Sequence, residues 1–105
     1  MLQKNILSVA KETISNEARA IEELISLIDE EFAQAVEHIY KSTGRVVITG
    51  IGKSAIIATK IVATLNSTGT PAIFMHAADA IHGDLGTIQE DDTVICISKS
   101  GNTPE

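Results

Sequence analysis

Aromatic residues are nearly missing from this chain of 105 residues: at 3% of the composition they leave any core to aliphatic side chains. Positive charge is also scarce. Eight Lys and Arg face fourteen Asp and Glu, a net charge of −6. That balance argues against a nucleic-acid partner, whose binding rests on neutralising phosphates. A small phosphorylated ligand needs only a local group of donors and is not excluded. Cys96 is the only cysteine, so no disulfide forms within the chain. It lies in an apolar run and reads as a small buried hydrophobe. No apolar stretch is long enough to span a bilayer. Met1-Leu2-Gln3-Lys4 lacks the apolar run of a signal peptide. The expectation is a soluble, cytoplasmic protein with no membrane partner. No internal repeat or low-complexity segment is visible, and the length allows one domain at most.

Hydrophobic periodicity divides the chain in two. Ile6, Ala10, Ile14, Ala18, Ile21, Ile25 and Ile28 recur at helical spacing, which predicts a helix over 2–28. Asp29 suits the N-cap of a second helix, with Glu30 and Glu31 favouring its positive end. Ser42-Thr43-Gly44 ends that helix, with Gly44 suited to a left-handed C′ position. Residues 1–44 thus read as an N-terminal helical segment and 45–105 as an α/β segment.

The second part alternates strand and helix. Arg45–Thr49 is short, β-branched and bounded by glycines, the mark of a strand buried on both faces. A helix is expected over Lys53–Leu65, and strands over Ala72–Met75 and Thr93–Ile97. His76–Gln89 reads as a loop holding a short helix. Thr103-Pro104-Glu105 reads as the first turn of another helix, capped by Thr103 with Pro104 at N1. This order predicts a flavodoxin-like, doubly wound parallel sheet with strand order 2-1-3. Three strands would leave a wide open edge, so the chain is expected to be truncated after the third.

Two loops carry the chemistry. Gly50, Gly52 and Ala55 follow the first strand and open the next helix, where N–H groups can meet an anion. A Walker loop would need glycine where Val47 stands. A dinucleotide site would need an acid in Thr70–His76, which has none. Lys53 at a helix start opposes the dipole, which a bound anion would offset; the alternative is an exposed loop lysine. The second loop, Ser98–Thr103, is rich in hydroxyl and amide donors, with Gly101 permitting close backbone approach. By itself it could be a polar turn with a helix cap. Strand order 2-1-3 sets both loops at the switch point between the first and third strands, where ligands bind.

With Val47–Ser54, Ser67–Pro71, His82–Gly86 and Ile97–Gly101 in view, the chain resembles the sugar isomerase (SIS) domain family. It is most similar to the arabinose-5-phosphate isomerases of the Kdo (lipopolysaccharide) pathway. The resemblance implies interconversion of arabinose 5-phosphate and ribulose 5-phosphate through an enediol, with no required cofactor. It implies catalytic roles for Lys53, which stabilises enediolate or phosphate charge, for Glu105 in acid/base work, and for His82. It implies substrate contacts at Gly52, Ser54, Gly69, Thr70, His76, Ser98, Ser100, Gly101, Asn102 and Thr103. His76 matches a histidine that takes a metal such as zinc in some relatives. Against this, two histidines six residues apart are not a recognised zinc spacing. The resemblance further implies a homo-oligomer, a dimer or tetramer, and further catalytic groups beyond Glu105, so that this stretch alone would be inactive. The alternative function is a non-catalytic SIS module sensing a sugar phosphate or nucleotide sugar. Two departures stand out. Lys99 occupies a position where relatives commonly have asparagine, and Asn102-Thr103-Pro104 replaces a more serine-rich stretch.

Overall fold

A computed structural model describes residues 1–102, the side chain of Asp84 excepted. The chain forms two compact units, Met1–Glu37 and His38–Glu105.

In the first unit, α1 spans Leu2–Glu23 and tightens into a 3₁₀ turn over Leu24–Leu27. The expected single helix over 2–28 therefore ends as an α-helix at Glu23. The reasons are local. The Ser26 hydroxyl donates to the Glu23 carbonyl at 3.0 Å, and Ile28 is already extended at φ −81°, ψ 116°. Asp29 then begins afresh: its Oδ1 accepts the Phe32 N–H at 3.2 Å. That is the expected cap of α2, Glu30–Lys41, with Glu30 and Glu31 in the first turn.

The second unit holds a parallel three-stranded sheet of order β2-β1-β3. Its elements are β1 (Val46–Gly50), α3 (Lys53–Ser67), β2 (Ala72–His76), α4 (Ala77–Ile81) and β3 (Thr93–Cys96). A second 3₁₀ turn, Asp84–Thr87, follows α4. In register, Ile48 faces Phe74 on one side and Ile95 on the other. The central strand is buried as expected: Val46, Val47 and Ile48 are at most 2% exposed. Val46 and Ile48 pack with Ala72 against Ala58 of α3, whose small side chain lets the helix approach closely. Alternation along the strands sends Val47, Thr49, Val94 and Cys96 to the opposite face.

The amino ends of the strands are tied by side chains. Asp92 Oδ1 accepts the Arg45 backbone N–H at 3.0 Å and its Nε–H at 3.2 Å. Asp92 Oδ2 accepts from the guanidinium at 2.7 Å and from the Gln89 N–H at 2.7 Å. Asn66 pairs both its amide groups with Ala72, at 2.8 and 3.0 Å. Beside it α3 ends in a Schellman motif. Thr70 N–H donates to the Leu65 carbonyl at 2.9 Å, Gly69 N–H to Asn66 at 3.4 Å, and Gly69 has φ +97°.

Gly44 corrects the expectation of a left-handed cap, since it is not among the positive-φ glycines of the described residues. Space is its constraint instead. A Cβ there would run into the Asp91 carbonyl. Ser42 Oγ fixes that approach by donating to the Asp91 carbonyl and accepting the Gly44 N–H, both at 3.2 Å.

Candidate ligand site at the carboxyl ends of β1 and β3

The turn from β1 into α3 is shaped by its glycines. A side chain at Gly50 would lie 3.1 Å from the Ser54 backbone, so the chain can fold back over itself there only without one. Gly52 holds φ +60° as the N-cap of α3. Its carbonyl accepts the Ala55 N–H at 3.1 Å, and Ala55 is buried. The N-terminus of α3 has no side-chain cap and no acid in its first turn. The positive end of this 15-residue helix thus has no compensating cap or first-turn acid among the described residues.

The loop after β3 forms the facing wall. Ile97 continues the ladder by donating to the Thr49 carbonyl at 2.9 Å. Ser98 Oγ then accepts the Gly101 N–H at 2.9 Å, and Ser100 Oγ accepts the Asn102 N–H at 3.1 Å. Gly101 turns at φ +76°. By accepting, the Ser100 oxygen leaves its own O–H to be aimed elsewhere.

Between these walls lies a cavity of about 550 Å³, within the size range of small-molecule sites. Lys53, Ser54, Ser98, Lys99, Ser100 and Gly101 line it, as the two-loop reading requires. Two lysines share it, and no Asp or Glu stands among its described lining residues. In a chain of net charge −6 this is a local inversion of sign. Its chemistry is that of an anion cradle: ammonium groups, hydroxyls and the first N–H groups of a helix.

Sequence reasoning passed over several lining residues. Cys96 was expected to be buried; it is exposed and lines the cavity. It ends β3, an edge strand of this sheet, opposite Thr49 at the carboxyl end of β1. Thr49 also lines the cavity, and its Oγ1 is a buried hydroxyl with no hydrogen-bond partner. A threonine one residue before the glycine turn was the available signal. Ile51, Ala77 and Ile97 add apolar surface.

Other expected residues lie elsewhere. Gly52 and Asn102 flank the cavity in sequence without lining it. Gly69 and Thr70 close α3 before β2 begins. They stand at the amino ends of the strands, about 16 Å away across a five-residue strand. His82 is exposed at the C-cap of α4 and does not line the cavity. His76 ends β2, with its Nδ1 accepting the Ala78 N–H at 3.1 Å to cap α4. Only Nε2 of that ring is left to face a ligand. No group of three or more His, Cys, Asp or Glu is arranged to hold a metal ion among the described residues. Thr103 and Glu105 lie outside the described residues, as does the helical turn expected there.

The comparisons agree with this geometry. The SIS domain family matches residues 38–105. The arabinose 5-phosphate isomerase KdsD of Pseudomonas aeruginosa is 47% identical over 96 residues, covering 91% of this chain and 29% of that protein. The arabinose 5-phosphate isomerase GutQ of Escherichia coli K12 is 41% identical over 104 residues, covering 99% and 32%. A protein of E. coli CFT073, solved in complex with arabinose 5-phosphate, superposes with a TM-score of 0.87 at 45% identity. That match covers 95% of this chain and 53% of the solved one. The chain thus spans about three tenths of these curated relatives' length. No helix among the described residues is long and apolar enough to cross a membrane. With this parallel sheet and a family match over residues 38–105, the chain belongs to the SIS domain family.

Proposed function

We propose that the protein carrying this chain interconverts arabinose 5-phosphate and ribulose 5-phosphate. The observation that carries the reading is the cavity in which Lys53, Lys99 and the serine loop meet without an opposing carboxylate. The similarity to isomerases of that sugar, at 41–47% identity, supports the substrate. In this reading the serine loop and the α3 terminus hold the phosphate. A base removes the C2 proton of the open-chain aldose, giving an enediolate. Return of a proton to C1, with transfer of a hydroxyl proton from O2 to O1, completes the ketose. Lys53 stabilises negative charge on the enediolate or the phosphate. Glu105 serves in acid–base work, and His82 and His76 contact substrate. The reaction needs no cofactor; the candidate metal ligand is His76 through Nε2. We place the activity in the cytoplasm, in a homo-oligomer, supplying Kdo or capsule synthesis.

A second reading, a module that senses a sugar phosphate without turning it over, draws on one observation. Apart from its lysines and the Cys96 thiol, the described cavity lining contains no acid–base side chain suited to proton transfer at carbon. One experiment separates the two. Arabinose 5-phosphate is incubated with the protein in its full length, and ribulose 5-phosphate is followed by NMR. We expect conversion to an equilibrium mixture; tight binding without conversion would overturn the isomerase in favour of the sensor.

A further inference from the structure

Lys99 is the unusual member of the cavity. It follows Ser98, precedes the Ser100–Gly101 turn, and is exposed along the same wall as the phosphate-cradling hydroxyls. No hydrogen bond or ion pair engages it among the described residues, and the same is true of Lys53. The two ammonium groups come from different strands' loops, one on each wall. Each is a compact charge with three donors. With no acid among the described lining residues, the cavity presents two positive charges plus a helix N-terminus. One lysine and a helix end suffice for a monoanion. Two lysines match a phosphate monoester that has lost both protons, as it has above about pH 6.

We propose that Lys99 determines ligand charge: it makes a second cationic contact that selects a dianionic phosphate ester over a monoanionic ester of the same shape. The inference rests on the sugar-phosphate reading of this cavity and specifies its ligand. The test uses arabinose 5-phosphate and arabinose 5-sulfate at about pH 8, where the first is a dianion and the second a monoanion. Binding to the full-length protein is measured by calorimetry for wild type, Lys99→Met and Lys99→Arg. Protection of the Cys96 thiol from iodoacetamide, read by peptide mass, locates the ligand, because that thiol is exposed in the same cavity.

We expect Lys99→Met to weaken phosphate-ester binding about tenfold, the scale of one charge-assisted contact in a half-open site. Sulfate-ester binding should change by less than about threefold, and Lys99→Arg should retain the wild-type preference. Both esters should protect Cys96. Equal losses on the two esters, or no loss on either, would overturn the proposal, as would phosphate binding that leaves Cys96 unprotected. Wild type binding neither ester would overturn both this inference and the site. Selective binding without isomerisation would support Lys99 as charge selector while removing the isomerase reading alone.

Discussion

At the residue scale, the informative contrast lies between the glycines and Lys53. Gly50 and Gly52 are explained by backbone geometry alone: one lacks room for a Cβ, the other holds φ +60°. They are requirements of the turn and carry no information about its ligand. Lys53 is different, because no described residue pairs with it and its position opposes the dipole of α3. A residue that opposes its local electrostatics and faces a cavity calls for a ligand-directed explanation. Lys53→Ala should therefore leave the melting temperature within error of wild type, since the side chain is exposed and pairs with no described residue. It should lower turnover of arabinose 5-phosphate about 10²- to 10³-fold, the cost of losing one oxyanion-stabilising donor. Steady-state kinetics beside a thermal melt checks both halves. Normal turnover in a folded variant would refute the assigned role.

At the scale of elements, the Arg45–Asp92 pair joins the entrance of β1 to the entrance of β3. The Asp92 side chain is only 1% exposed, against 34% for Arg45. The hydrogen bond from the Arg45 guanidinium, then the Gln89 N–H, holds the Asp92 carboxyl well below the ordinary carboxylate range, while burial opposes the shift. A carboxyl depressed in the folded state adds stability that is complete above its unfolded pKa, about 3.9. That contribution fades as pH falls through the carboxylate range. Asp92→Asn should thus be less stable than wild type at about pH 7, and the gap should close on acidification from about pH 5 downward. Urea midpoints at neutral pH and at about pH 3 measure it. A gap independent of pH would mean that Asp92 acts through shape and neutral hydrogen bonds alone. The element is far from the cavity, so ligand affinity at neutral pH should hold in any variant that remains folded.

For the whole molecule, the two units differ in how they are held. In α1 no residue is buried. In the second unit, Ile48 sits at 0% exposure between both neighbouring strands and under α3. Ile48→Ala should cost about 2–5 kcal/mol, the usual range for emptying a fully buried aliphatic site. Because β1 pairs with both β2 and β3, the loss should appear as one cooperative transition of the His38–Glu105 unit, followed by circular dichroism in urea. A loss below about 0.5 kcal/mol would show that the central strand does not anchor the unit. The same strand carries Thr49 and Gly50 into the cavity, so the least exposed element supports one wall of the site.

Much of this was legible in the sequence, because it depends on short-range physics. In the second unit, short apolar and β-branched runs between glycines and polar turns marked the strands, and these and the long helix match the structure to within one or two residues. Asp29 announced its cap, and the β-branched run of β1 announced a strand covered on both faces. The two loops were found from their own glycines, hydroxyls and amides, and a flavodoxin-like strand order linked them. What needed the tertiary structure was decided by register and by the ends of elements. Gly44 could be read as a turn glycine, but only its approach to Asp91, far along the chain, shows a demand for space. Cys96 read as buried because its neighbours in sequence are apolar. Its place at the end of an edge strand, opposite Thr49, leaves it exposed in the cavity. Gly69 and Thr70 were named from the family resemblance, and only the tertiary structure shows that they close α3 at the amino ends of the strands. By itself the sequence determined which segments of the second unit are strand and helix, and which turns are candidates to meet an anion. Tertiary structure alone decided which of them meet, because a parallel sheet sends the two ends of each strand to opposite edges.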